Sequence, residues 1–260
     1  MSTPATVRVW ESHLALYKRI WRSQLPSSFL QPLAFMLAMG AGVGSLINAN
    51  ESSEAVLGDL PYVAFLAPGL LATTAMLIGS SEASWPVMDG FKWNRGYESQ
   101  AATPLGIGDV LGGQVLWWAT RLLLSSIAVA TVLALMSETR SIGLVVGVPA
   151  AVLTGLSFAL PIAAWAATRE SDISFPAIQR FIVTPLFLFG GAFYPIEQLP
   201  AGLRPIAYVT PLWHGVELCR GASLHTLGGV EAAVHFGVLG AYIALGWAAA
   251  YAAFGRKLHT

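Results

Sequence analysis

Six apolar stretches, each near the length of a membrane-crossing helix, leave few folds open to this chain. They lie at 29–47, 60–78, 111–136, 142–168, 178–193 and 232–254, the fifth being short. A helix rises about 1.5 Å per residue, so crossing a hydrocarbon core of ~30 Å takes roughly 20 apolar residues. Only 11% of the 260 residues are charged, against about 25% in soluble domains. Inside a bilayer, backbone N–H and C=O groups find partners only within helices or closed barrels. The period-2 alternation of barrel strands is absent. The expected fold is an all-α integral membrane protein, a single transmembrane domain over 1–260 with six transmembrane helices.

The same composition excludes several functions. Formal net charge is zero, so no broad basic face exists for nucleic acid. Cys219 is the only cysteine, which rules out an internal disulfide and any cysteine-based metal cluster. No G-x-x-x-x-G-K-[ST], H-E-x-x-H or G-x-S-x-G occurs, and no paired intramembrane acids, so neither ATP binding by a P-loop nor a catalytic set is expected. His214, His225 and His235 lack ligand-like spacing, and no metal site is expected.

Charge in the loops sets an orientation. With six spans the termini share one side, which holds Arg8, Lys18, Arg19, Arg22, Lys92, Arg95, Arg169, Arg256 and Lys257. The other side holds Arg140, Arg204 and Arg220. The positive-inside rule puts both termini in the cytoplasm. Arg8, Glu11, Lys18, Arg19 and Arg22 also interrupt any secretory leader, so no cleaved signal peptide is expected.

Before the first span, Val7, Trp10, Leu14, Tyr17 and Trp21 recur at helical spacing among these charges. That pattern predicts an interfacial helix over 6–26, its apolar face in lipid, turning into the membrane at Pro26. An amphipathic helix packed on protein is the alternative. In the first span, "MGAGVGS" sets Gly40 and Gly44 one turn apart, a spacing that admits close helix contact within the chain or between protomers.

Between spans two and three, residues 84–100 are too patterned for a plain turn. Trp85, Met88, Phe91, Lys92, Trp93, Arg95, Tyr97 and Glu98 mix aromatic anchors with charges of both signs, as a protein contact would. A juxtamembrane helix with tryptophans at headgroup level fits equally well. Arg121, in "LWWATRLLLSS", is the one clearly intramembrane cation. It is either a contact for an anionic substrate headgroup or a snorkelling or structurally paired arginine.

Between spans five and six, residues 193–231 are too polar and proline-rich to cross, yet too apolar for a free loop. Short re-entrant helices satisfy both observations, since irregular backbone at depth survives only under protein or beside water. The Gly190–Gly191 pair would end the fifth span, leaving Glu197 and Gln198 toward a polar exit. A loop lying on the outer surface is the alternative.

Three stretches in this order, "AATPLGIGDVLGGQ", "FLFGGAFYPIEQLP" and "TPLWHGVELCRGASL", carry a resemblance that covers essentially the whole chain. The chain resembles the membrane subunits of type-2 ABC exporters, the permeases of nodulation lipo-oligosaccharide and daunorubicin-resistance type. The resemblance implies a prokaryotic cytoplasmic membrane and a permease dimer, preferably of identical chains. It implies two P-loop ATPase subunits carrying ATP and Mg, with no cofactor in this chain. It makes Trp85, Met88, Phe91, Lys92, Trp93, Arg95 and Glu98 the ATPase-docking residues, and puts paired short helices over 193–212 as an outer lid. Arg121, Phe189, Phe193, Tyr194 and Glu197 are then candidates for the substrate path or outer gate. The expected cargo is a glycolipid, lipo-oligosaccharide or hydrophobic drug, moved outward. An ATP-independent channel or lipid scramblase uses the same spans without a motor. An intramembrane enzyme would need convergent reactive groups, which the sequence does not supply.

Overall fold

The structure is a computed structural model and describes residues 4–48 and 60–258. Among the described residues every regular element is helical. Helix α1 (Ala5–Met36) continues through a π-helical stretch, Leu37–Val43, into Gly44–Asn48. After it come α2 (Tyr62–Glu82), α3 (Ile107–Leu135) and α4 (Leu144–Ala167). Then follow α5 (Asp172–Phe189), α6 (Pro211–Ser223) and α7 (Gly229–Leu258). Five helical stretches are long and apolar enough to cross a membrane, and the apolar part of α1, Leu33–Ile47, is shorter. Most of the first outer loop, "NANESSEAVLGD", lies outside the described residues.

Helix α4 is apolar all round, as a helix wrapped by others must be. Its Ala159, Leu160 and Ala163 are fully buried, and it packs on α2, α3, α6 and α7. Helices α2 and α4 touch backbone to backbone, because a Cβ on Gly79 would stand 2.3 Å from the Gly155 carbonyl oxygen. Gly40 and Gly44 serve a similar purpose within the chain, Gly40 facing Val63 and Gly44 facing Tyr62 of α2.

The N-terminal helix departs from the sequence expectation in two ways. It does not stop at position 26 but runs helical into the apolar segment, since membrane helices tolerate proline where neighbouring groups re-satisfy the backbone. Part of its apolar face packs on protein. Val9 is buried against Gly113, Trp10 Nε1 donates to Thr120 Oγ1 at 3.0 Å, and Tyr17 packs edge-on to Trp117. The physical reason is the flat surface that Gly112 and Gly113 give α3, which lets α1 approach closely. Lys18, Arg19 and Arg22 remain exposed.

One end of the bundle gathers the loop charges. Lys257 Nζ reaches Glu170 Oε1 at 2.5 Å, and Lys92 donates to the Glu170 carbonyl. The hydrogen bond from Lys257 holds the exposed Glu170 carboxyl below its ordinary range. This tie is therefore complete above the ordinary carboxylate range and disappears as pH falls through the lowered value.

Candidate functional site

At the charged end, the connector between α2 and α3 is three short turns rather than one helix. Trp85–Met88 is α-helical and Asp89–Trp93 is π-helical. The chain then bends at Arg95, whose φ of 51° is left-handed, and resumes as Gly96–Ala101. Asn94 makes the bend possible by accepting from the Gly96 N–H at 2.7 Å while donating to Asp89.

The expected docking residues divide between two faces. Met88, Phe91 and Tyr97 are buried, Phe91 and Tyr97 packing on Phe254 at centroid distances of 4.8 and 5.2 Å, while Trp85 packs edge-on to Phe175. Lys92, Trp93, Arg95 and Glu98 are exposed, with an Arg95–Glu98 pair at 3.6 Å. The aromatic anchors thus hold the connector to the bundle from inside, and only the second set is available outside.

Tyr97 Oη donates to Gln114 Oε1 at 2.9 Å. Burial first, then the carboxylates of Asp89 and Glu82, push its hydroxyl well above the ordinary phenol range, so it acts as a neutral donor. Tyr97→Phe leaves the buried Gln114 oxygen unpartnered and is expected to cost about 1–3 kcal/mol in detergent unfolding. A change below a few tenths would show that Gln114 repacks freely.

Arg121 is structurally paired. Its Nε meets Glu82 Oε1 at 3.1 Å, and its guanidinium lies 4.9 Å from the Tyr17 ring centroid. Helix α2 has 21 residues, or ~31 Å at the usual rise, so Glu82 at its end stands near one edge of a hydrocarbon core. Both side chains keep some exposure, which puts the pair between surface and buried cases. Glu82→Gln is expected to lower stability by about 1–3 kcal/mol, and Glu82→Gln with Arg121→Gln to recover part of it. Additive losses in that double-mutant cycle would show that the two groups do not act as a pair.

At the opposite end, α5 stops because the chain must reverse beneath Leu212. A Cβ on Gly190 would meet Leu212 Cδ2 at 2.4 Å, and Gly191 has φ +81°. Beyond it, Phe193 packs on Phe35 and Phe187 at 5.5 and 5.0 Å, and Tyr62 Oη donates to the Phe193 carbonyl at 3.1 Å. Phe189 is exposed and Tyr194 half-buried. Glu197 is exposed, and its carbonyl accepts from Arg204 Nη2 at 2.6 Å.

Helix α6 then lies antiparallel to α4 within the bundle. Gly215 sits on Thr154, Cys219 Sγ lies 3.4 Å from the Gly147 carbonyl, and Gly143 faces Ala222. From Gly143 to Thr154 is ~16 Å of helix, so α6 runs alongside that length of α4.

Two arrangements here escaped the sequence reading. Arg220, counted there as a loop cation, is buried at 8% exposure. It donates to the carbonyls of Gly191 at 2.7 Å, Ala192 at 3.3 Å and Phe65 at 3.4 Å, and to Glu217 Oε1 at 2.9 Å. Its guanidinium lies 3.8 Å from the Phe65 ring centroid. A signal was present in Glu217 three residues before Arg220 inside an apolar helix, a spacing that pairs side chains. His214 and His235 also meet, Nδ1 to Nδ1 at 2.7 Å, joining α6 to α7. No cluster of three metal-ligating side chains occurs among the described residues.

These helices, packed around an apolar α4 with a charged connector at one end and an inserted helix at the other, define a multi-pass membrane protein. The chain belongs to the ABC-2 type transporter family, whose model matches residues 5–224. It is 29% identical over 253 residues to Nodulation protein J of Rhizobium leguminosarum bv. trifolii, covering 97% of this chain and 93% of that one. It is 26% identical over 252 residues to Nodulation protein J of Rhizobium meliloti (strain 1021), with 97% and 93% covered. Against the inner membrane transport permease YadH of Escherichia coli (strain K12) it is 23% identical over 237 residues, with 90% and 88% covered. It is accordingly a membrane transport permease rather than a catalytic enzyme, of a family that typically works with an ATPase partner.

Proposed function

We propose that the chain is the membrane-spanning half of an ATP-driven exporter that moves an amphipathic or lipid-linked molecule outward. The observation that carries this reading is the connector, anchored by Phe91 and Tyr97 on Phe254 while Lys92, Trp93, Arg95 and Glu98 face outward. A rigid seat with an exposed aromatic and mixed charges suits a protein partner. The partner is a cytoplasmic P-loop ATPase, two copies serving two permeases, which binds the ATP and Mg that this chain has no motif for.

The charged end then faces the cytoplasm of a prokaryotic cell, and α6 forms a re-entrant helix under an outer lid. A second identical permease would cover the exposed apolar residues of α1 and α5, among them Leu37, Phe181 and Ile182. Nucleotide-driven motion of the connector would reach α3 through Tyr97–Gln114 and alter the gap between protomers. Substrate would leave past Phe189, Phe193, Tyr194 and Glu197. Both ATP and substrate must favour one conformation for such coupling.

The deciding experiment is co-purification of the tagged chain in mild detergent. A P-loop ATPase is expected in near-equal amount, released by Lys92→Ala with Trp93→Ala while membrane insertion persists. Retention of the ATPase by that variant would remove the docking role. A chain that purifies alone under conditions preserving other membrane complexes would point to a passive channel or scramblase.

A further inference from the structure

A groove of about 540 Å³ runs between α1 and α3, and a cavity of about 440 Å³ opens beside it toward the connector. Arg121 and Tyr17 line both, so the guanidinium stacked on that ring marks the junction. The groove has a greasy wall of Leu14, Leu124, Ile127 and Ala128, with Lys18 and Arg121 as its cations. From Arg121 to Thr131, its far limit on α3, ten residues of helix span ~15 Å. That is half of a ~30 Å hydrocarbon core, the depth of one leaflet's acyl chains.

The cavity has different chemistry. Glu82 and Asp89 lie on its wall with Arg121, giving it one net negative charge. His13 Nε2 and Gln100 Oε1, both on the same wall, are buried and lack a hydrogen-bond partner. Gln100 Oε1 can only accept, and His13 Nε2 accepts in one neutral tautomer, so the cavity asks for donors. On the groove side, Ser125 is 5% exposed and its Oγ also has no partner. Ser125 is one helical turn beyond Arg121, in the direction away from the charged end. Buried polar groups without partners are rare in native proteins, and three of them belong to residues that line the cavity or the adjoining groove.

We propose that this space is a binding site for one phospholipid of the cytoplasmic leaflet with a primary-ammonium headgroup, of the ethanolamine class. An acyl chain lies along Leu124 and Ile127. The Ser125 hydroxyl donates to a glycerol ester carbonyl, and the phosphate sits by Arg121 and Lys18. The ammonium enters the cavity and donates to Gln100, His13 and the carboxylate of Asp89. A choline headgroup carries no N–H to donate, and a glycerol headgroup brings no cation to Asp89. Because Asp89 and Gln100 belong to the connector, the bound lipid ties α1 and α3 to that segment.

The test is native mass spectrometry of the full-length chain, delipidated in mild detergent and offered ethanolamine, choline and glycerol phospholipids with identical acyl chains. One ethanolamine lipid is expected to be retained with about tenfold preference over choline, the equilibrium weight of a charge-assisted hydrogen bond. Ile127→Trp, at a position 48% exposed, fills the groove and should remove retention of all three lipids without disturbing monodispersity. Asp89→Asn should narrow the ethanolamine preference while leaving lipid retained. Equal retention of ethanolamine and choline lipids, or retention that Ile127→Trp does not change, overturns the proposal. So does binding of free phosphoethanolamine as tight as that of the lipid, since the groove would then contribute nothing.

Discussion

Replacing Arg220 with methionine is expected to destabilise the folded chain by about 3–5 kcal/mol, the cost of breaking a buried charge network. Methionine fills similar volume but donates nothing. The carbonyls of Gly191, Ala192 and Phe65 lose their shared donor, and Glu217 loses its counter-charge. Gly191 and Ala192 form the reversal after α5, so this one side chain holds the end of α5 to both α2 and α6. Arg220→Lys should recover only part of the loss, because an ammonium cannot reproduce a planar fork reaching several acceptors. Unfolding in a denaturing-detergent titration reads both changes. A loss below about 1 kcal/mol for Arg220→Met would mean that the carbonyls find other partners.

Gly79→Leu is expected to prevent α2 and α4 from closing, with a loss above the ~1–3 kcal/mol typical of an overpacked core. The atom in the way is backbone, the Gly155 carbonyl oxygen at 2.3 Å, with the Gly155 carbonyl carbon at 2.9 Å. Neither can rotate aside. Gly155 itself is pressed by Leu122 of α3, whose Cδ2 would stand 2.4 Å from a Cβ at that position, so separation of α2 from α4 propagates to a third helix. Gly240→Leu on α7 provides the control, since a Cβ there meets nothing within 4 Å. The folded, monodisperse fraction after membrane extraction should fall steeply for the first variant and hold for the second. Equal yields would show that the crossing tolerates side chains.

Much of the architecture was legible in the residues. Apolar runs at 111–136, 142–168 and 232–254 anticipate α3, α4 and α7, because membrane-crossing length imposes its own ruler. The Gly-Gly pair anticipates the end of α5. The cost of an intramembrane cation left Arg121 open between substrate contact, snorkelling and pairing, and nothing in sequence pointed to Glu82 as its neighbour.

The connector shows where such reading stops. Met88, Phe91 and Tyr97 look like a partner-facing apolar set, yet all three are buried, and Phe91 and Tyr97 pack on Phe254, more than 150 residues away in sequence. The amphipathic N-terminal helix reads as lipid-facing, yet Val9, Trp10 and Tyr17 pack on α3, where Gly112 and Gly113 leave room for it. Arg220 meets Phe65 across a sequence separation of 155, and His214 meets His235 across two helices.

The sequence by itself determined that this chain crosses a membrane as helices, that its loop cations gather at one end, and that it lacks an ATP-binding motif. Those properties depend on composition and local periodicity, which the bilayer enforces residue by residue. Only the tertiary structure decided which buried polar groups meet and which aromatic side chains remain outside. A buried carbonyl, carboxylate or guanidinium is satisfied by whichever partner packing brings within about 3 Å, and that partner is chosen by how helices cross, a property no single stretch contains.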